Sequence, residues 1–383
     1  FVEAATRYAS TTGSGSACTV ISTPCTLTVA LGQLVVSDTL YLRAGTYTTY
    51  LNGDTFNWPS GSSGAPTTIA GYPGETVTIR PASESIINMS SSTFGAKTYI
   101  KFQNLILDGG VMDSGTQVVG SNGAQTHIEF DHITIQNNPD NNGFSVCAAC
   151  TDWWIHHTTI TNLRGGYGIY NTTTGTLFEY NTISGGDAYA IHSYNQGHND
   201  VSNNIYRYNT ITDNGHSVQF SAGAILASGS NNAFYGNLVY GNLRTGVIID
   251  DCTDCLVYNN TIYGNGATNG GFGLQIGNSG TAVRPIIQNN IVAANAGANF
   301  NNTSSSAPTH DHNLCEVAGL WCDNTQAVVS IFTNAGSNDF TLKTGSLAID
   351  TGTNLATVFT TDLNGTTRPS GSAFDLGALE SGS

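Results

Sequence analysis

A chain of 383 residues with 11 Lys and Arg against 26 Asp and Glu carries a formal charge of −15, and only 10% of its residues are charged. That balance gives no hold on nucleic acid, and so little charge argues against helical bundles and coiled coils. No apolar run reaches the roughly 18 residues of a membrane span, so membrane insertion is not expected.

The chain begins at Phe1 without an initiator Met, as a mature, processed and secreted product would. Phe1, Val2, Glu3, Ala4 and Ala5 precede the first strand-like run at Thr6–Ser10 and are candidates for assembly, by adding to the edge of a neighbouring copy. The 8 cysteines fall into four close pairs, Cys18 with Cys25, Cys147 with Cys150, Cys252 with Cys255 and Cys315 with Cys322, which predicts four local disulfides and an oxidising compartment. The competing reading is one zinc ion between the two C-x-x-C pairs, but in the repeat described below they lie about four coils apart, roughly 19 Å at ~4.8 Å per coil. Sequons at Asn88, Asn171, Asn259, Asn301, Asn302 and Asn364 permit glycosylation.

From about Thr126 to Asn295 one short pattern returns. Its first half is Tyr180-Asn181-Thr182-Ile183, Tyr208-Asn209-Thr210-Ile211, Gly236-Asn237-Leu238-Val239, Asn259-Asn260-Thr261-Ile262 and Asn289-Asn290-Ile291-Val292. Its second half ends on Val146, Ile169, Ile191, Ile225, Val247 and Leu274, about 22 to 27 residues apart with one interval of about 34. Such triplets cannot bury an apolar face alone, but stacked coils can, and these six residues are the predicted core column. Asn181, Asn209, Asn237, Asn260 and Asn290 are expected to form a ladder of amides between coils. Residues 1–306 are thus read as coils with an N-terminal capping segment, and 307–383 as a less regular cap whose Cys315–Cys322 loop covers the last core layer.

These repeats, with Asp38-Thr39-Leu40-Tyr41-Leu42-Arg43-Ala44-Gly45-Thr46-Tyr47 near the start and Ala348-Ile349-Asp350-Thr351-Gly352, Arg368-Pro369 and Asp375-Leu376-Gly377-Ala378-Leu379-Glu380 near the end, resemble the right-handed parallel β-helix repeat proteins. That secreted superfamily includes polysaccharide lyases, polygalacturonases and tailspikes. The resemblance implies an all-β, single-stranded parallel solenoid with an irregular C-terminal cap, and an outer face on which an extended polysaccharide could lie.

Outward positions beside the core column bring Tyr170, His192 and Tyr194 forward as sugar-stacking and proton-transfer candidates, with Asp250 two coils from His192. Arg244 and Arg164 are possible cationic partners for a uronate; the long coil between Ile191 and Ile225 adds His198, Arg207 and His216 as carbohydrate-binding candidates. Lyases of the superfamily commonly use Lys or Arg as base, often with calcium. Here Lys97 and Lys101 flank what reads as an ordinary strand. No cofactor is required by this sequence; calcium at Asp250 and Asp251 is possible, although adjacent carboxylates on a strand point to opposite faces. Two functions follow: an extracellular structural subunit that self-associates into a filament, surface layer or adhesin, and, as the alternative, a secreted lyase or hydrolase of an acidic glycan.

Overall fold

The protein is seen as a computed structural model that describes residues 4–89, 93–112, 115–195, 201–217, 222–268 and 270–382. Phe1, Val2, Glu3 and His198 therefore lie outside the described residues. The chain forms two compact units, the first ending at Leu177 and the second beginning at Phe178.

In the first unit short strands stack as three parallel ladders. One runs Thr6–Ala9, Thr39–Leu42, Thr67–Gly71, Thr98–Gln103, Thr126–Asp131, Trp154–His156. The second runs Gly45–Tyr47, Val77–Ile79, Ile106–Asp108, Thr134–Gln136, Thr159–Thr161. The third runs Leu51–Asn52, Ile87–Met89, Val119–Ser121, Phe144–Val146, Ile169–Asn171. Alternation sends one set of side chains inward: Ile69, Phe102, Phe130 and Ile155 from the first ladder meet Ile79, Leu107, Ile135 and Ile160 from the second and Ile87, Val119, Phe144 and Ile169 from the third, all fully buried. Phe102 and Phe130 stack with centroids 5.0 Å apart, so aromatic surface is matched coil to coil.

The second unit repeats the plan. Ile205–Arg207, Ala233–Tyr235, Leu256–Tyr258, Ile286–Gln288 and Thr309–Asp311 form one parallel ladder. Ile191–Ser193, Ala222–Leu226, Thr245–Ile249, Leu274–Ile276 and Phe300–Asn302 form another. The third begins with Thr182–Ser184 and continues to Leu314–Cys315 and Asn324–Thr325, so parallel pairing runs on past residue 306.

The bend between the first and second ladders is made by a left-handed residue: Asn104, His132 and His157 in the first unit, at φ of 54°, 53° and 50°, and Tyr180, Tyr208, Gly236, Asn259, Asn289 and His312 in the second. At Gly236 a side chain is also excluded by space, since a Cβ would lie 2.7 Å from the Tyr208 ring. In the second unit the residue after this bend is the expected asparagine, whereas in the first it is Leu105, Ile133 or Thr158. Asn181 Nδ2 donates to Asn209 Oδ1, Asn209 to Asn237, Asn237 to Asn260 and Asn260 to Asn290, each at 3.0 Å, and Asn290 continues the ladder to Asn313. A second ladder that the sequence reading missed joins Asn214, Asn242, Asn265 and Asn295 at 2.9–3.1 Å.

The predicted core column needs two corrections. Ile169 pairs with Phe144, not Val146, and Ile191 pairs with Ala224, so the inward column of the second unit is Ile191, Ala224, Val247, Leu274 and Phe300. Ile225 faces outward yet is only 3% exposed, because Ala222, Ala227, Ile248 and Tyr189 surround it. Where both faces of a strand are covered, apolarity does not tell in from out.

The C-terminal segment also differs from a simple lid. Trp321, inside the Cys315–Cys322 loop, does pack on Phe300 of the last coil. The chain then folds back along the outer faces of the ladders. Ile331, Phe332, Phe340 and Leu376 pack with Ile291, Ala293 and Leu314, while Leu355, Phe359 and Phe374 pack with Tyr208, Tyr235 and Tyr258. Backbone groups fix this path: Asn259 Nδ2 donates to Asp375 O at 2.7 Å and Asn289 Nδ2 to Thr353 O at 2.8 Å. Large apolar residues at outward positions of these coils are thereby removed from water.

Candidate functional site

The strand Ile191–Ser193 turns Ile191 and Ser193 inward and His192 outward, and Tyr194 follows on the same side. Parallel register sets Ile225, Ile248 and Gln275 in the row of His192 on the next three coils. The result is an open depression of ≈ 380 Å³, walled by Tyr189, His192 and Tyr194, floored by Ile225 and Ala227, and bounded by Asp250, Asp251 and residues 278–280. His192 and Tyr194 stack with their rings nearly parallel, at 9° with centroids 5.3 Å apart, and Tyr189 is tilted against His192 at 5.0 Å. Tyr194 is 38% exposed, so the pair offers an aromatic surface to a ligand. Burial pushes the His192 pKa down to about 4, which leaves its imidazole neutral at physiological pH.

Asp250 and Asp251 follow the strand Thr245–Ile249 and differ in exposure: Asp250 is 4% exposed and Asp251 is at the surface. Asp250 Oδ1 accepts from the backbone N–H groups of Asn278 at 2.7 Å and Gly280 at 2.8 Å, and its Oδ2 accepts from Ser279 Oγ at 3.0 Å. Its carboxylate holds the 278–280 loop that forms one side of the depression.

The other predicted residues are distributed elsewhere. Tyr170 lies in the first unit, on a strand in register with Ser145, and stacks on Tyr167 at 5.3 Å. Arg207 belongs to the ladder covered by the C-terminal segment, where it meets Glu179 Oε2 at 2.6 Å and Tyr235 OH at 3.1 Å. Arg244 is 7% exposed and donates to the carbonyls of Gly215 and Ser217 at 3.4 Å, tying down the long coil. His216 is exposed and contacts Asp213 Oδ1 at 3.2 Å. Arg164 is exposed, and its backbone N–H donates to Asn138 O at 2.8 Å. Of the assembly segment, Ala5 N donates to Asp38 Oδ1 at 2.7 Å and Ala4 is exposed beside it. All four expected disulfides form. No helix among the described residues is long and apolar enough to cross a membrane.

A polar cluster that sequence reasoning passed over occupies the first ladder of the first unit. Register places Lys101, Glu129 and Trp154 in one row and Gln103, Asp131 and His156 in the next, all on the outward side. Lys101 Nζ bridges Glu129 Oε1 at 2.9 Å and Asp131 Oδ2 at 2.8 Å. Burial works to lower the Lys101 pKa and to raise those of both carboxylates. The hydrogen bonds from Lys101 and the histidines outweigh it, so Glu129 and Asp131 lie below their ordinary range and Lys101 above. Trp154, 39% exposed, stacks on His156 at 3.9 Å beside a second depression of ≈ 320 Å³ lined by Tyr99, His127 and Asp152. Two histidines in sequence after an outward Trp, Trp154-Ile155-His156-His157, were the available signal.

Residues 142–314 match the family described as the right handed beta helix region. Among solved structures, the chain is similar to pectate lyase Pel9A, with a TM-score of 0.66 at 18% identity over 98% of this chain and 96% of that one. It is also similar to the A-module of mannuronan C-5 epimerase AlgE6 of Azotobacter vinelandii, with a TM-score of 0.54 at 13% identity over 76% of this chain and 87% of that one. The chain is a right-handed parallel β-helix repeat protein. No curated protein matches its sequence. At these identities the likeness is one of fold, and the chemistry of this β-helix has to be read from its own side chains.

For calcium at Asp250 and Asp251 the fit is poor. The ion takes six to eight oxygens, whereas two carboxylates supply four at most, and in this β-helix both Asp250 oxygens already accept from the 278–280 loop. No step is routed through calcium here.

Proposed function

We propose that this β-helix binds a polysaccharide chain across the His192–Tyr194 surface and acts on it as a lyase or glycoside hydrolase outside the cell. The observation that carries the reading is the stacked His192–Tyr194 pair, with Tyr194 38% exposed, set in a depression with an apolar floor and a carboxylate rim. Pyranose rings present C–H faces that stack on such surfaces and hydroxyls that bond to carboxylates and backbone amides. Neutral His192 presents an imidazole lone pair that can accept a hydrogen bond from a sugar hydroxyl, and exposed Asp251 supplies a carboxylate at the rim. Among the described residues the lining has His192, Asp250 and Asp251 beside two tyrosines and no Lys or Arg, so a neutral or sparsely charged stretch of glycan suits the surface better than a dense polyuronate.

The structural-subunit reading rests on the chain ends. Ala5 packs on Asp38 and Glu380 on Arg368 of the same chain, which favours the glycan reading over donation of these segments to a neighbour. The test is incubation of the full chain with a panel of acidic and neutral polysaccharides, followed by measurement of new reducing ends, unsaturated uronates and retention in affinity electrophoresis. Product or retention that diminishes in Tyr194→Ala supports the reading. Absence of both across the panel overturns it.

A further inference from the structure

We propose that Asp131, His156 and His157 form a mononuclear site for a divalent transition-metal ion, with Glu129 holding His156 from behind. One ligand atom from each of the three lies within 4.8 Å of the others. His156 Nδ1 is 2.8 Å from His157 Nδ1 and 3.5 Å from Asp131 Oδ1. Ligands of a tetrahedral ion with bonds of about 2.0–2.1 Å stand roughly 3.3 Å apart, and the two separations made by His156 bracket that value. Two imidazole nitrogens and one carboxylate oxygen suit zinc, copper or nickel better than calcium or magnesium.

The surroundings prepare these atoms as donors. Glu129 Oε1 lies 3.2 Å from His156 Nε2, and a carboxylate can only accept, so the proton of a neutral His156 is placed on Nε2 and the Nδ1 lone pair faces Asp131 and His157. His156 is 5% exposed, and the Trp154 ring stacked on it fixes its plane. On the opposite side, Lys101 and Gln103 both donate to Asp131 Oδ2, at 2.8 and 2.7 Å, which turns Oδ1 toward the histidines. His132 Nδ1 meets that Oδ1 at 2.5 Å from an exposed position, parallel to the His157 ring at 4.8 Å. Asp131 Oδ1 and the Nδ1 atoms of both histidines thus converge, and a divalent ion takes the place of the protons that His132 and His157 share with them. His157 sits at the exposed left-handed bend, so the ion's remaining coordination positions face solvent.

The inference is independent of the glycan reading, because its test reads metal and not carbohydrate. Metal-free full-length protein is titrated with Zn²⁺ by calorimetry and with Cu²⁺ by electron paramagnetic resonance. One equivalent is expected to bind, with nitrogen couplings from two imidazoles. His157→Ala should abolish stoichiometric binding and reduce the nitrogen couplings in protein whose cooperative thermal melt shows that it is folded. Glu129→Gln, whose amide can donate to His156 and reverse its tautomer, should weaken Zn²⁺ binding about 10–100-fold. His310→Ala and His312→Ala should leave binding unaltered. The proposal is overturned by absence of stoichiometric binding, by binding that survives His157→Ala and His156→Ala, or by binding that disappears with His310 or His312 instead.

Discussion

Arg368 Nη1 and Glu380 Oε1 are 2.8 Å apart, and both side chains are wholly buried in the C-terminal segment. The guanidinium also donates to the carbonyls of Asp375 at 2.9 Å and Gly377 at 2.8 Å, and Glu380 Oε2 accepts from Ser370 N at 3.0 Å. Removing one partner strands a charge away from water, at a cost of about 3–5 kcal/mol. Denaturant unfolding of Glu380→Leu and Arg368→Met should each show a loss of that order, and the double variant should lose less than the two singles summed. Single losses under about 1 kcal/mol would show that the pair does not secure the segment.

Asn237 tests the ladder at its middle. Its amide donates to Tyr206 O at 2.9 Å and Tyr235 O at 3.1 Å, and its Oδ1 accepts from Asn209 N at 2.9 Å. Asn237→Ala leaves several buried groups without partners, each costing about 1–3 kcal/mol. The midpoint of chemical unfolding should therefore drop well below that of Thr182→Ala, an exposed change two coils away. Equal midpoints for the two variants would contradict the ladder's energetic role.

His192 gives the fold a pH dependence of definite sign. Its folded pKa is pushed down to about 4 by burial, below the ordinary value of 6.5. Between these values the unfolded chain takes up a proton that the folded chain refuses, so this residue lowers stability as pH falls from 6.5 through 4. Thermal melts of His192→Gln across that range should fall less steeply on acidification than those of the parent. Parallel curves would show that the imidazole titrates normally.

Tyr194 is the most exposed aromatic of the His192 depression, and its loss should weaken glycan retention without unfolding the chain. An aromatic stacking contact of about 0.5–1.5 kcal/mol corresponds to a decrease approaching tenfold in affinity. Affinity electrophoresis of Tyr194→Ala beside Tyr170→Ala separates the faces: the second change should have no effect. If Tyr170→Ala alone reduces retention, the glycan lies on the first unit instead.

Much of this architecture was legible in the residues. Asn181, Asn209, Asn237, Asn260 and Asn290 stand in one column because a left-handed bend recurs before each, and the short apolar triplets repeat because each coil must cover the next. The cysteine pairs were close enough in sequence to be read as loops. Register was less legible. Ile225 and Val146 were placed in the wrong rows because coil lengths vary and the outward face near Ile225 is itself buried. Lys101 was read as part of an ordinary strand, since nothing local distinguishes an exposed Lys from one bridging two carboxylates on the following coil.

The sequence by itself therefore determined the coil, its alternation and the asparagine ladder from Asn181 to Asn290, all of which follow from periodic short-range rules. Only the tertiary structure decided which outward residues become neighbours. Lys101, Glu129, Asp131 and His156 lie on three successive coils, and His192 and Asp250 are separated by 58 positions in the chain but share one depression. Contacts of that kind depend on the exact length of every intervening bend, because a one-residue slip in a strand reverses the direction of each side chain.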